Sequence, residues 1–218
     1  MMRELLSNKI KLLNSELIEM ASLVEKQIVD SMTALKDQDI DLAKSVIKND
    51  DKVDDFQKLI EEKCIKFMAT ESPVAGDLRN IYTTSKIVTD LERMADYAVD
   101  ICKIVPRVKG VDFSDDISPI WELVDIVTNM IKLAIEAYVK GDEKAAYEIC
   151  DMDDRVDEIY RGMFGIVLKK MVKDESMINQ GTQILFASKY LERLGDHVTN
   201  ICEWIIFSKK GNYVDLNE

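Results

Sequence analysis

The sequence is poor in whatever interrupts a helix. Its 218 residues hold 3 Pro and 8 Gly, too little punctuation for a chain built of many short strands. Histidine is nearly missing, and the four cysteines, Cys64, Cys102, Cys150 and Cys202, are far apart in the chain. None forms a Cys-x-x-Cys pair, so zinc ribbons and dithiol redox motifs are excluded. On apolar helical positions they read as small buried hydrophobes, with no structural disulfide required. The lone His197 lacks a histidine partner for a metal and reads as a satisfied surface or boundary residue. No apolar run approaches the ~20 residues that span a bilayer. Met1-Met2-Arg3-Glu4-Leu5-Leu6 has no sustained apolar core of the secretory kind. Positive charge is also short, with 29 Lys and Arg against 41 Asp and Glu, a net charge of −12. A nucleic-acid duplex would need a basic stripe, and none is present; the same balance disfavours anionic lipid. There is no nucleophile motif, no Gly-rich phosphate loop and no triad. These absences point to a cytoplasmic, non-catalytic protein that neither binds nucleic acid nor inserts into a membrane.

What is present is a duplication. Leu91-Glu92-Arg93-Met94-Ala95-Asp96 returns as Leu191-Glu192-Arg193-Leu194-Gly195-Asp196, and both run on to an Ile-Cys pair, Ile101-Cys102 and Ile201-Cys202. Upstream, Asp50-Asp51-Lys52-Val53-Asp54 returns as Asp153-Asp154-Arg155-Val156-Asp157. A repeat this long sets the architecture. The units divide as 1–108 and 109–218.

The apolar residues recur at three- and four-residue steps, the period of an amphipathic helix. Leu17, Ala21, Val24, Ile28, Ser31 and Leu35 form one stripe, matched by Ile120, Val124, Val127, Ile131, Ala134 and Tyr138. Val88, Leu91, Ala95, Ala98, Cys102 and Val105 form another, matched by Ser188, Leu191, Gly195, Val198, Cys202 and Ile205. The second pair of stripes lies three residues closer together, so the first copy has a connection three residues longer, near Thr70-Glu71-Ser72-Pro73. Ser72-Pro73 and Ser118-Pro119 read as N-caps followed by a first-turn proline. Asp37-Gln38-Asp39 and Lys140-Gly141-Asp142 read as breaks. The expectation is all-α: six long helices over 6–37, 39–69, 73–105, 118–140, 142–173 and 177–209. They form two tandem three-helix bundles related by a pseudo-twofold. The linker lies between Pro106 and Pro119, and the tail from Lys209 is expected to fray.

Each copy carries two acidic pairs at i, i+4. Glu92 and Asp96 directly follow the seam residues Leu91 and Ala95, and Asp54 follows Val53, with Asp50 a turn earlier. If the second and third helices pack antiparallel, Asp50 and Asp54 face Glu92 and Asp96. Asp153 and Asp157 then face Glu192 and Asp196 in the second copy. Asp100 and Asn200 extend the third-helix row as possible further ligands. Converging carboxylates raise one another's pKa and require protons, Arg93 and Arg193, or a bound cation. An oxygen-rich site without cysteine suits a divalent ion such as Mg, Mn or Fe, with Zn also considered. Alternatively, the same residues form a solvated acidic face.

Three segments carry a family resemblance: Ser72-Pro73-Val74-Ala75-Gly76-Asp77-Leu78-Arg79, Asp90-Leu91-Glu92-Arg93-Met94-Ala95-Asp96, and Tyr190-Leu191-Glu192-Arg193-Leu194-Gly195-Asp196-His197-Val198-Thr199-Asn200-Ile201. The chain resembles the PhoU family of phosphate-uptake regulators from about residue 8 to 208. The resemblance implies two three-helix bundles whose acidic motifs hold metal in some members. It also implies a non-catalytic adaptor, with a homodimer as the expected assembly. Its partners would be the ATPase subunit of the phosphate ABC transporter and a membrane sensor histidine kinase. Ala95 stands where the family usually has Gly, and Asp100 where it usually has Asn, so the two sites are not expected to be equal. The competing reading is a carboxylate-bridged metal store or di-metal enzyme on a helical bundle; the absence of Glu-x-x-His counts against it.

Overall fold

The computed structural model describes residues 2–110 and 117–216, with side chains from residue 6 onward. Among these it contains helices and no strand. The first copy holds α1 (Met2–Asp37), α2 (Ile40–Asn49), α3 (Asp51–Thr70) and α4 (Ala75–Ile104); the second holds α5 (Pro119–Lys140), α6 (Glu143–Lys173) and α7 (Ile178–Lys210). Every seam residue named above is buried, from Leu17 to Leu35 on α1 through Ser188 to Ile205 on α7. All belong to one apolar core together with Val53, Ile60, Val156 and Met163, except that the polar Ser31, Ser188 and the glycine Gly195 contribute no apolar side chain. Removing such stripes from water is the main driving force for assembling helices this long.

The second helix of the first copy is not continuous. It breaks at Asp50, which keeps α-helical dihedrals while α3 restarts at Asp51. The Val53 amide bonds back to Asp50 O over 2.8 Å and the Asp54 amide to the same oxygen over 3.3 Å, a tightened turn. In the second copy α6 runs through Asp153 unbroken. The expected start of α4 also differs. Ser72 adopts φ +47° and the helix opens only at Ala75 behind Val74, which makes no side-chain cap. Pro73 keeps the preceding residue out of the right-handed helical region, so Ser72-Pro73 turns the chain. Ser118 does precede first-turn Pro119, although its hydroxyl makes no cap bond. Gly141 is left-handed at φ +66°, and Gln38 takes the matching position in the first copy at φ +55°; there Gln38 Oε1 accepts from the Gly110 amide over 2.7 Å. Asp39 and Asp142 cap the following helices with their carboxylates. The linker read between Pro106 and Pro119 falls, over 111–116, outside the described residues.

At the centre α4 and α7 run antiparallel. α1 packs on α4 and α5 on α7, α1 meets α5, and α3 and α6 close their own bundles. The pseudo-twofold is visible in the contacts. Asp90 of α4 meets His197 of α7, with His197 Nδ1 2.9 Å from Asp90 Oδ1. Tyr97 stacks on Tyr190 with ring centroids 5.7 Å apart. Exchanging the copies turns one pair of positions into the other, the mark of an isologous contact.

The tail does not fray as expected. Gly211 ends α7 in a left-handed cap at φ +76°. The chain then folds back, stacking Tyr213 on Phe207 at 4.5 Å and setting it edge-on to Trp204 at 5.8 Å. The Leu216 amide donates to Glu203 over 2.8 Å. Polar composition hid Tyr213, which covers aromatic surface on α7, and Val214 and Leu216, which pack against the core. Truncation after Lys210 is expected to lower Tm by ~4–8 °C, the loss of ~2 kcal/mol of aromatic packing. An unchanged Tm by differential scanning calorimetry would mean that the tail contributes nothing.

Candidate metal centre

The carboxylates converge because α3 and α6 lie antiparallel against α4 and α7. Asp50, Asp54, Glu92 and Asp96, and Asp153, Asp157, Glu192 and Asp196, are all half-buried. From Leu91 to Cys102 the alternation of buried and exposed positions is repeated residue for residue from Leu191 to Cys202. Burial pushes Asp50 up to about 6, reinforced by the charges of Asp54, Asp96 and Asp51; the Gln27 side chain pulls the other way. Burial likewise raises Glu92, with Asp96, Asp54 and Asp50 adding to it and Arg93 opposing. In the second copy Asp153 is pushed up to about 7 by burial, then by Asp196, Asp157, Glu192 and Asp154. Each expected quartet therefore behaves as one electrostatic unit.

Basic side chains hold the outer carboxylates. Arg93 reaches Asp96 at 3.1 Å and Glu92 at 3.5 Å, and Arg193 reaches Asp196 at 3.3 Å. Arg161 lies 2.6 Å from Asp157, and Lys189 donates to both oxygens of Glu192, at 2.6 Å to Oε1. With these pairings in place, no three His, Cys, Asp or Glu side chains among the described residues stand ready around a metal ion. The inner aspartates differ: Asp50 Oδ1 and Asp153 Oδ1 are buried and accept no hydrogen bond. A buried acceptor without a donor is costly, and one recurs at the same position in both copies. All-oxygen donors with an orphaned oxygen at the centre suit a hard divalent cation. Binding one would require the outer carboxylates to turn from Arg and Lys toward the inner aspartate.

The sites are unequal for a reason the sequence contains. A Cβ on Gly195 would run into the Asp153 carboxylate, so glycine there lets Asp153 sink against α7. In the first copy Ala95, 1% exposed, occupies that position, and Asp50 is raised less. Gln27 adds a second difference. It is 3% exposed and its amide makes no hydrogen bond of standard geometry; Met130 stands at the matching place in α5. A polar residue on an apolar stripe was the available signal for Gln27. For Arg161 and Lys189 the signal was their spacing from Asp157 and Glu192, i, i+4 and i, i+3 on one helix.

Asp100 and Asn200 are turned elsewhere. Lys103 holds Asp100 at 2.7 Å, and Asn200 donates to Asp90 over 3.4 Å, beside His197. His197 is thus a boundary residue with an acceptor. Cys64, Cys102 and Cys202 are buried, Cys150 is half-buried, and all four are free. Distance in sequence concealed one pairing, since Cys150 and Cys202 are neighbours in space, and the interaction of the two thiols raises Cys202 together with its burial. Burial, reinforced by the charges of Glu61 and Glu16 for Cys64 and of Asp30 for Cys102, pushes both thiols up to about 12. Thiols raised so far are poor nucleophiles.

The PhoU domain profile matches residues 17–105 and 120–205, one match in each copy. The chain belongs to the PhoU family. It is 48% identical to a phosphate-specific transport system accessory protein PhoU homolog of Clostridium acetobutylicum over 100% of both chains. It is 32% identical to the phosphate-specific transport system accessory protein PhoU of Escherichia coli, over 91% of this chain and 83% of that one. The crystal structure of PhoU from Pseudomonas aeruginosa superposes with a TM-score of 0.88 at 30% identity, covering 94% of this chain and 99% of that one. The phosphate transport system regulatory protein PhoU from Streptococcus pneumoniae gives 0.89 at 25% identity, covering 96% and 99%. The all-helical fold with two repeated PhoU domains is therefore that of this chain, and none of its described helices is long and apolar enough to cross a membrane.

Proposed function

We propose that this chain is a regulatory accessory protein of phosphate transport. It acts by contact rather than turnover, on the cytoplasmic side, and holds phosphate-starvation genes off when phosphate is plentiful. The observation that carries the reading is the end-to-end match at 48% identity to a relative named as such an accessory protein. Its partners are the ATPase subunit of a phosphate ABC transporter and a sensor histidine kinase, and its assembly is a homodimer. An adaptor of this kind couples them by binding one state of a partner better than another. The two units, 1–108 and 109–218, each load a divalent cation on the acidic quartet. Supporting that are the orphaned oxygens of Asp50 and Asp153 and the raised pKa of both groups. A bound cation would supply positive charge that stabilises the carboxylates in their ionised form. For the metal-store or di-metal enzyme reading no observation speaks: the one histidine is engaged with Asp90.

Deleting the gene is expected to switch on phosphate-starvation genes in phosphate-replete medium, read as reporter expression, with the intact gene restoring repression. Normal expression and normal phosphate uptake in the deletion strain would refute the regulatory role and move metal storage ahead.

A further inference from the structure

Beyond the second carboxylate quartet, α6 and α7 share an exposed apolar stripe. On α6 it consists of Phe164, Leu168 and Val172, at i, i+4 and i+8, and on α7 of Ile178 and Phe186. Val172 is 85% exposed and the other four lie between 40% and 52%. Two contacts set the register. Lys189 lies 5.2 Å over the Tyr160 ring, and Gly181 packs against Val167 and Met171. The antiparallel pair therefore brings Phe186 level with Phe164, and Ile178 level with Val172. Tyr160 meets Phe164 edge-on at 5.4 Å, joining the stripe to the quartet's border. In the first copy the matching face keeps the apolar Ile65, Ala69 and Leu78 but loses both aromatic rings to charged residues. Glu61 stands for Phe164 and accepts from Gln57 and Thr89, both at 3.4 Å. Lys86 stands for Phe186 and covers Tyr82 and Trp204.

Two further features say what fits this face. Gly165 lies on the solvent side of α6, one position after Phe164, and among the described residues a Cβ there would meet nothing within 4 Å. Glycine weakens a helix interior relative to alanine, and no contact among the described residues requires it here. A missing Cβ lets the backbone of a second helix come close; a bilayer has no use for it. Charge is the other feature. In a chain of net charge −12, residues 159–173 carry Arg161, Lys169, Lys170 and Lys173 and no carboxylate, and residues 178–191 carry Lys189 and no carboxylate. Arg161 and Lys189 are engaged with Asp157 and Glu192, and the exposed Lys169 and Lys173, each one position after Leu168 or Val172, flank the outer half of the stripe. The connection at that end holds Glu175 and Asp174, whose carboxylate caps Ser176. A second copy docked face to face would set these lysines against each other. A membrane laid on the face would press the adjoining quartet against anionic headgroups.

We infer that the α6–α7 face of the second repeat is a docking site for one amphipathic helix of a partner protein, with apolar residues covering Phe164, Leu168 and Val172 and with Asp or Glu flanks facing Lys169 and Lys173. Helix-on-helix recognition of this kind reads i, i+3, i+4, i+7 anchors. The inference rests on the reading that the chain works by contact, and it is independent of metal.

The test is fluorescence anisotropy with the purified full chain in chelator. The probes are two labelled peptides of about five helical turns with the same leucine stripe, one flanked by Glu and one by Lys. The Glu peptide is expected to bind with a Kd on the order of micromolar, and the Lys peptide to bind at least about tenfold more weakly. The double change Leu168→Glu with Val172→Glu, at exposed positions, should weaken the Glu peptide by about tenfold or more. Gly165→Leu should do the same while raising or preserving Tm, which separates docking from folding. Equal binding of the two peptides, or binding indifferent to these changes, would overturn the proposal. So would a wild-type dimer that Leu168→Glu with Val172→Glu converts to monomer, or phosphatidylglycerol-vesicle binding lost in that variant. The deletion phenotype reads phosphate regulation and the peptide reads this face, so either can fail while the other stands.

Discussion

Freed of divalent cation, the protein is expected to melt at a higher temperature at about pH 5.5 than at about pH 8, and saturating Mn²⁺ is expected to remove or reverse that order. The sign follows from the direction of the shifts. Asp50 is raised to about 6 and Asp153 to about 7, above the ~3.9 of an unfolded aspartate. A raised carboxylate pKa means that the folded state holds a proton that the unfolded chain has released. That stability is fully present below the unfolded pKa and is lost as pH rises through the folded pKa, here between about 4 and 7. Glu71, Glu136 and Asp174 are shifted the other way by their hydrogen bonds, so what they contribute is lost only in more acidic solution. After discounting for solvent screening, the loss per inner aspartate is ~1–2 kcal/mol. Asp153→Asn in the metal-free protein should therefore raise Tm at about pH 8 by ~2–6 °C. A cation at about 100 times its Kd stabilises by ~2.7 kcal/mol, or ~5–10 °C, and replaces the proton. Asp50→Asn with Asp153→Asn should abolish most of that gain. Differential scanning fluorimetry across pH, with and without Mn²⁺, decides it: no pH slope and no response to millimolar Mn²⁺ would reduce both quartets to solvated surface.

Leu91→Ala and Leu191→Ala are each expected to cost ~3 kcal/mol and to lower Tm by ~6–12 °C. Both side chains are 0% exposed, and each sits directly beneath a quartet, one residue before Glu92 or Glu192. Side chains from several helices close over them, so the cavity left by truncation cannot collapse freely. Because the two positions are related by the pseudo-twofold, the costs should agree within ~1 kcal/mol. Urea denaturation read by tryptophan fluorescence measures them. A loss below ~1 kcal/mol at either position would mean that the seam beneath that quartet is loosely packed.

Much of the fold was legible because it is local or repeated. The stripes from Leu17 to Leu35 and from Val88 to Val105, and their copies, are periodic at the helical repeat, and burial follows that period. The three-residue difference between copies falls where expected, in Glu71–Val74 against the single Asp174 before the short 3-10 turn Glu175–Met177. Errors arose where a local rule met a packing demand. Ser72-Pro73 has the composition of a helix start but turns the chain instead. The tail beyond Lys209 has the composition of a frayed end but finds Trp204 and Phe207 to cover. Lys189 and Arg161 pair with Glu192 and Asp157 one turn away on their own helices, and they become counterions of one quartet because α6 and α7 bring those carboxylates together.

Taken alone, the sequence determined that the chain is all-helical, duplicated and acidic, and which eight carboxylates flank its seams. Period, repetition and charge are properties of residues a few positions apart or of exact recurrence, so they need no fold to be read. Only the tertiary structure decided how those carboxylates behave. One oxygen of Asp50 and one of Asp153 are left without a donor, and Asp153 is raised further because Gly195, on another helix, has no Cβ to keep it out. The same packing brings Cys150 to Cys202 and lines up Phe164, Leu168 and Val172 with Ile178 and Phe186. Burial and Coulomb energies depend on distances through space, and those are set by the register in which the helices meet.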